Sequence, residues 1–212
     1  GCFMAGFLLD VNAGRLDHLI DLALDEDIGS GDISTAFIDG ILRPGTGRIM
    51  AKQNLVVAGL DVARRVFEKL DPRIEFVTRC TDGDVLDHGM ILAEVVSSLQ
   101  ILLMAERTAL NFLQRMSGVA THVRAHIKEI AGKSVRLVDT RKTIPGWRIL
   151  DKYAVRVGGA YNHRMGLFDG VLLKDNHIAA AGGIASAVEA TRANISHLHR
   201  IEVEVSNLEE VG

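Results

Sequence analysis

Three short stretches in the second half of the chain decide how it folds: VRLVDTRKT (135–143), VLLKDNH (171–177) and IEVEV (201–205). Each opens with apolar residues of strand length and runs into, or alternates with, charged ones. Helical patterns at 147–157 and 184–192 lie between them. Alternation of this kind is the pattern of βαβ units around a parallel sheet or barrel. Barrel enzymes carry their active groups at the C-terminal ends of strands and in the loops that follow. That places Asp139, Thr140, Arg141 and Lys142 after the first strand, and Lys174, Asp175, Asn176 and His177 after the second. In the third, alternation puts Glu202 and Glu204 on one face and Ile201, Val203 and Val205 on the other. If the apolar face meets helices, both carboxylates point into the barrel, where Lys142, Lys174 or Mg2+ has to offset their burial. As edge-strand residues they face water instead.

Between these strands, RVGGAYNHRMG (156–166) sets Gly158, Gly159 and Gly166 around His163-Arg164, so the backbone can turn sharply and present both side chains from one loop. Arginine forks bind carboxylates and phosphates bidentately, whereas lysine is a compact charge that meets any oxyanion. A site containing both can hold two different anions. From 139 to 177 there are seven Lys and Arg against four Asp and Glu, a local surplus of +3 in a chain of formal charge −3. A cationic stretch in an acidic chain points to a small anionic ligand, while the net charge argues against general nucleic-acid affinity.

The first half reads differently. Residues 15–27 place Leu16, Leu19, Ile20, Ala23 and Leu24 on one helical face. Strand-like runs follow at 48–52, 55–58, 74–78 and 91–96, with a helix at 61–70, and together they suggest an α+β domain. A long helical stretch at 99–131, with a break expected near Ser117-Gly118, bridges to the second half. The domains are expected at 1–110 and 111–212, which suits 212 residues of which 48% are hydrophobic. No apolar run approaches the roughly 18 residues of a membrane span, and the opening GCFMAGFLLD lacks the marks of a secretory signal, so the expected location is cytoplasmic. Cys2 and Cys80 sit in no disulfide or zinc spacing and are expected to be reduced thiols.

Several other features favour a structural role. His122 and His126 have metal-pair spacing but no glutamate between them, and His197-Leu198-His199 reads as a polar loop. Gly29-Ser30-Gly31-Asp32 lacks the strand before it and the Lys-Ser/Thr after it that a phosphate loop needs. Trp147, after Pro145-Gly146, opens a helix and is expected to be packed.

The segments AERTALNFLQRMSGVAT (105–121), DTRKTIPGWRILDKYAVRVGGAYNHRMGLFDGVLLKDNHI (139–178) and IEVEV resemble the signature segments of the quinolinate phosphoribosyltransferases. EDIGSGDIST and DGDVLDHGMILAEV are similar to that family's N-terminal domain, so the resemblance covers nearly the whole chain. It implies an N-terminal α/β sandwich followed by an incomplete α/β barrel, in a homodimer or an oligomer of dimers whose active sites lie between one subunit's barrel and the other's N-terminal domain. The implied activity is phosphoribosyl transfer from phosphoribosyl pyrophosphate to quinolinate with decarboxylation, giving nicotinate mononucleotide, pyrophosphate and CO2 for NAD synthesis, with Mg2+ as cofactor. By the same resemblance Arg107 reaches into the neighbouring subunit's site. Arg141, His163, Arg164 and Lys174 surround the pyridine dicarboxylate, and Lys142 bridges both substrates. Glu204 is the metal-side carboxylate, while Glu202 and Asp175 are secondary candidates. Lys142, Lys174 and Glu204 carry the catalytic roles. The family continues beyond the IEVEV strand, so the 212 residues taken alone are expected to lack turnover. Two alternatives are a phosphoribosyltransferase-like homologue associated with molybdenum uptake, and a lipoyl- or biotinyl-like binding module suggested by DGDVLDHGMILAEV.

Overall fold

The computed structural model describes Leu9, Asp10 and residues 12–211. Cys2 and most of the opening segment lie outside the described residues. The chain divides into two compact units, Gly1–Asn162 and His163–Gly212.

The first unit contains α1 (Ala13–Ile28), β1 (Pro44–Met50), β2 (Leu55–Val56), α2 (Leu60–Leu70), β3 (Glu75–Thr78), β4 (Val85–Leu86), β5 (Ile91–Ser98), α3 (Leu99–Glu129) and α4 (Arg148–Gly158). Strands β1, β5 and β3 form an antiparallel sheet in that order, and β2 pairs antiparallel with β4. The core is assembled from the apolar stripes of the helices: Leu16, Ile20 and Leu24 of α1, Val62, Ala63, Val66 and Phe67 of α2, and Ala105, Ala109, Phe112, Leu113 and Met116 of α3. Burying each large side chain removes apolar surface from water at about 25 cal/mol per Å².

Helix α3 follows β5 without a loop. Ser98 caps it by accepting the Ile101 N–H at 3.3 Å. Two further N–H groups of its first turn, those of Leu99 and Gln100, donate to the carbonyls of Arg43 and Ile41. The break expected at Ser117-Gly118 does not occur, and the helix runs unbroken through both residues. Its hydroxyls face the sheet side instead: Ser117 Oγ accepts from Ala58 N at 3.1 Å, and Thr121 Oγ1 accepts from Val56 N at 2.8 Å. The short strand β2 thus has edge N–H groups satisfied by helix side chains rather than by another strand.

The DGDV turn also has a structural role. The carboxylate of Asp82 accepts from Gly59 N at 2.7 Å and Leu60 N at 3.1 Å, capping α2, and from Tyr153 Oη of α4 at 2.6 Å. Gly59 is at φ 103°, and a Cβ there would lie 2.7 Å from Met116 Sδ, so both conformation and space require glycine.

The strand expected at 135–138 is reduced to one parallel bridge between Val138 and Tyr161. Only the segment around it is paired, with Tyr161 N donating to Leu137 O and Asp139 N to Tyr161 O. Trp147 precedes α4 and stacks on Phe112 with ring centroids 4.8 Å apart, the packed role expected of it. His126 Nδ1 lies 3.1 Å from the carbonyl of His122, and the described residues contain no cluster of three or more metal-ligating side chains. No helix among the described residues is long and apolar enough to cross a membrane.

The second unit contains β6 (Val171–Leu173), α5 (Asp175–Ala181), α6 (Ile184–Asn194), β7 (Ile201–Val203) and a terminal 3-10 turn (Leu208–Val211). Strands β6 and β7 are parallel, with Leu172 opposite Glu202, and two helices form the crossover. This is the strand–helix–strand unit expected from the sequence, with α5 an addition the residue pattern did not show. Strand β7 ends at Val203, two residues short of the expected IEVEV strand.

Two expected outcomes follow from this packing. A Cβ at Gly158, on the last turn of α4, would lie 2.6 Å from Val123 Cβ and 2.8 Å from Ala120 O of α3. Gly158→Ala should therefore destabilise the protein by about 1–3 kcal/mol in chemical denaturation; unchanged stability would mean the two helices separate freely. Glu94 of β5 is hydrogen-bonded by Arg79, and by Arg48 at 3.1 Å, which hold its carboxyl below its ordinary value of 4.5. The stability it contributes is complete above pH 4.5 and is lost as pH falls through its lower folded value. Glu94→Gln should flatten the acid limb of Tm against pH, and parallel curves in acid would contradict the assignment.

Candidate active site

In the first unit Arg141 and Lys142, two of the candidate side chains, lie on the loop 139–143. Asp139, at the end of the Val138–Tyr161 bridge, turns its carboxylate inward. Lys152 Nζ of α4 lies 2.5 Å from Oδ1, and Asn162 Nδ2 donates to Oδ2 at 2.7 Å and to the Lys152 carbonyl at 2.9 Å. Both charges are buried, Lys152 at 1% and Asp139 at 8% side-chain exposure. Beyond it, Thr140 Oγ1 accepts the Lys142 N–H at 3.0 Å, and the Arg141 carbonyl accepts the Thr143 N–H at 2.9 Å. Arg148 of α4 holds the far side, donating to Thr143 Oγ1 at 3.1 Å and to the Arg141 carbonyl at 3.3 Å.

The loop leaves its two key cations differently disposed. Lys142 is exposed, while Arg141 is half-buried with an Nε that is inaccessible to water and has no hydrogen-bond partner among the described residues. A buried N–H donor without an acceptor is unfavourable unless something else supplies one. Arg107, on α3, is exposed. Farther along α3, Arg115 donates to both carboxylate oxygens of Asp151, at 2.9 and 3.1 Å, and lies over the Trp147 ring. Its Nε is likewise buried without a partner.

In the second unit the strand ends place charge in pairs. Lys174 follows β6 and Glu204 follows β7. The Glu204 N–H donates to the Leu173 carbonyl at 2.8 Å, extending the ladder by one rung, and Lys174 Nζ lies 2.9 Å from Glu204 Oε2. His163 Nε2 lies 3.0 Å from Glu202 Oε2. The two glutamates have side-chain exposures of 61% and 60%, so within this unit they are open to water and paired with cations rather than buried. Arg164 donates through Nη1 to the Gly170 carbonyl at 2.9 Å, and its Nε, like that of Arg141, is buried without a partner among the described residues. The Met165 and Gly166 N–H groups are held by the Asp169 carboxylate at 2.7 and 2.8 Å, which shapes the turn after Arg164. Asp175 opens α5 and accepts the N–H of Asn176, and His177 Nδ1 accepts the Lys174 N–H at 3.1 Å.

The sequence-predicted residues thus form two sets. Arg107, Arg141 and Lys142 belong to the first unit, and His163, Arg164, Lys174, Asp175, Glu202 and Glu204 to the second.

Residues 32–117 match the model of the quinolinate phosphoribosyl transferase N-terminal domain, and residues 119–212 match that of its C-terminal domain. The chain is 40% identical over 201 residues to a probable nicotinate-nucleotide pyrophosphorylase [carboxylating] of Bacillus subtilis, covering 95% of this chain and 69% of that protein. The chain belongs to the quinolinate phosphoribosyltransferase family. A probable nicotinate-nucleotide pyrophosphorylase [carboxylating] of Synechocystis is 47% identical over 196 residues, 92% of this chain and 66% of that relative. Among solved structures, NadC from Streptococcus pyogenes superposes with a TM-score of 0.88 at 41% identity, over 92% of this chain and 70% of that one. The nicotinate-nucleotide pyrophosphorylase of Francisella tularensis does so with a TM-score of 0.87 at 39% identity, over 93% and 70%. The chain spans 66% to 69% of the two bacterial relatives it matches. Membership of this family on both halves sets aside the carrier-module reading of DGDVLDHGMILAEV, whose first aspartate caps α2.

Sequence reasoning missed Arg148, Lys152 and Asn162. A signal was present in part. Arg148 and Lys152 are four residues apart on one helix, hence on one face, and Lys152 interrupts the run of buried residues Leu150, Tyr153, Ala154 and Val157. That its ammonium meets Asp139 depends on chain geometry that no spacing rule contains.

Proposed function

We propose that this chain provides the dicarboxylate-binding part of an enzyme that transfers the phosphoribosyl group of phosphoribosyl pyrophosphate to quinolinate, with loss of CO2, yielding nicotinate mononucleotide and pyrophosphate. The observation that carries this reading is the cationic 139–143 loop, where exposed Lys142 stands beside the guanidinium of Arg141, both residues that the family resemblance assigns to the substrates. A guanidinium edge of this kind matches a carboxylate, whose two oxygens accept parallel N–H bonds.

By the family resemblance Arg141, His163, Arg164 and Lys174 are the residues assigned to the two ring carboxylates, whose hold on the ring sets its nitrogen against the anomeric carbon of the ribose. That is a positioning task. The nitrogen is the nucleophile and pyrophosphate leaves with the bonding pair. Lys142, exposed on its loop, meets charge from both substrates as it moves to the leaving group. The carboxylate next to the quaternised nitrogen then departs as CO2, leaving its electron pair on the ring carbon, which takes up a proton from water, with no protein nucleophile involved. Arg107, exposed on α3, is assigned to a neighbouring subunit's site in a homodimer. The exposed apolar side chains Ile33, Phe37 and Leu42 support an interface of that kind.

Mg2+ needs only one or two carboxylates when substrate phosphates and water complete its octahedron. The exposed carboxylate of Glu204, with one oxygen on Lys174, fits such an ion arriving with phosphoribosyl pyrophosphate, and Glu202 is the secondary donor. The ion would neutralise pyrophosphate charge as the leaving group departs. The finer architecture, an N-terminal sandwich followed by an incomplete barrel, is supported by the antiparallel β1-β5-β3 sheet and by the parallel β6–β7 unit with its helical crossover. A cytoplasmic location is part of this reading and rests on the composition.

Isothermal titration of quinolinate into the chain tests the proposal. Saturable binding is expected, weakened about 100-fold by Arg141→Ala, since that change removes charge-assisted hydrogen bonds to a carboxylate. A folded wild-type protein that binds no quinolinate would overturn the assignment and favour the molybdenum-associated homologue.

A further inference from the structure

Lys152 is among the most thoroughly buried side chains of the molecule, yet it is a lysine and no family segment assigns it a ligand. A buried ion pair is often no more stabilising than apolar residues of the same volume, so stability alone does not account for Lys152 and Asp139. What the pair does fix is backbone. Asp139 is the residue at which the chain leaves the Val138–Tyr161 bridge, two positions before Arg141. Its carboxylate is held by Lys152 Nζ at 2.5 Å and by Asn162 Nδ2 at 2.7 Å.

One helical turn earlier on α4, Arg148 holds the other end of the same loop. It donates to the carbonyl of Arg141 and to the hydroxyl of Thr143. The spacing of four residues puts Arg148 and Lys152 on one face, so a single rigid helix takes hold of the loop on both sides of the Arg141–Lys142 peptide. Loops are mobile by default, and a cation that must meet a carboxylate at a fixed angle gains from a loop whose backbone cannot drift.

We propose that Lys152 and Arg148 are positioning residues that hold the 139–143 loop in the conformation that presents Arg141 and Lys142 to the dicarboxylate. This inference rests on the reading of that loop as an anion site. Neither side chain touches substrate. Both act through the backbone that carries the ligands.

The test is quinolinate titration paired with thermal melting for the wild type, Lys152→Met, Arg148→Met and the double variant Asp139→Asn/Lys152→Met. Lys152→Met leaves the Asp139 carboxylate buried without its cation, and should lower both Tm and affinity, the latter by about 10-fold or more. The double variant removes both charges, so Tm should recover while affinity stays low. A merely structural role predicts the opposite, with affinity returning in step with Tm. Arg148→Met leaves the buried pair intact and should weaken binding about 10-fold with little change in Tm. Should Lys152→Met not fold, the double variant and Arg148→Met still decide the matter. Unchanged affinity in Arg148→Met and the double variant overturns the inference while leaving the dicarboxylate site standing. Absence of binding to the wild type instead removes the site itself.

Discussion

The first unit depends on the packed stripe of α3. Along this helix small residues (Ala105, Ala109, then Ser117, Ala120) flank a central block of large ones (Phe112, Leu113, Met116), so neighbouring elements approach closely at some turns and interdigitate at others. Gly158 of α4 meets it at Ala120 and Val123, Gly59 before α2 meets it at Met116, and the hydroxyls of Ser117 and Thr121 complete the edge of β2. Phe112 carries Trp147, the residue from which α4 starts, and α4 in turn holds the 139–143 loop. A sequence of contacts thus links a hydrophobic stripe to the orientation of Arg141, and each link is a packing contact or hydrogen bond too specific to slide.

The second constraint is electrostatic. A protein whose loops gather cations has to offset their mutual repulsion. Here several have a carboxylate at hydrogen-bond distance: Lys152 with Asp139, Arg115 with Asp151, Lys174 with Glu204 and His163 with Glu202. The pairs differ in depth. The Lys152–Asp139 pair is enclosed and bears on backbone placement, whereas the glutamates at the end of β7 are open to water, where a pair contributes little stability.

Much of this was legible in the residues. Apolar periodicity located α1, α2 and α4 to within a few positions, because a helix that buries one face must repeat its apolar residues along that face. The long segment from 139 to 178 carried the family, and with it the side chains expected at the site. The break expected at Ser117-Gly118 did not materialise. A serine and a glycine weaken an isolated helix, but here the hydroxyl is committed to Ala58 and the flanking Met116 and Ala120 are buried, so tertiary packing overrides propensity.

Alternation expects Glu202 and Glu204 on one face, since side chains two apart on a strand share it; the strand ends at Val203, and both glutamates are exposed. The sequence left open whether they face the barrel or water, and though it offered Lys174 as a partner it did not offer His163, because these cations come from 30 and 39 positions away. The sequence by itself determined the family, most of the helices and strands in their order, and which cations and carboxylates are available, for these follow from local patterns and residue chemistry. Only the tertiary structure decided which charges meet. It set Lys152, on the helix face it shares with Arg148, against Asp139 and left the Nε atoms of Arg141 and Arg164 inaccessible and without a partner among the described residues, because burial and pairing are properties of how distant segments come together rather than of any segment alone.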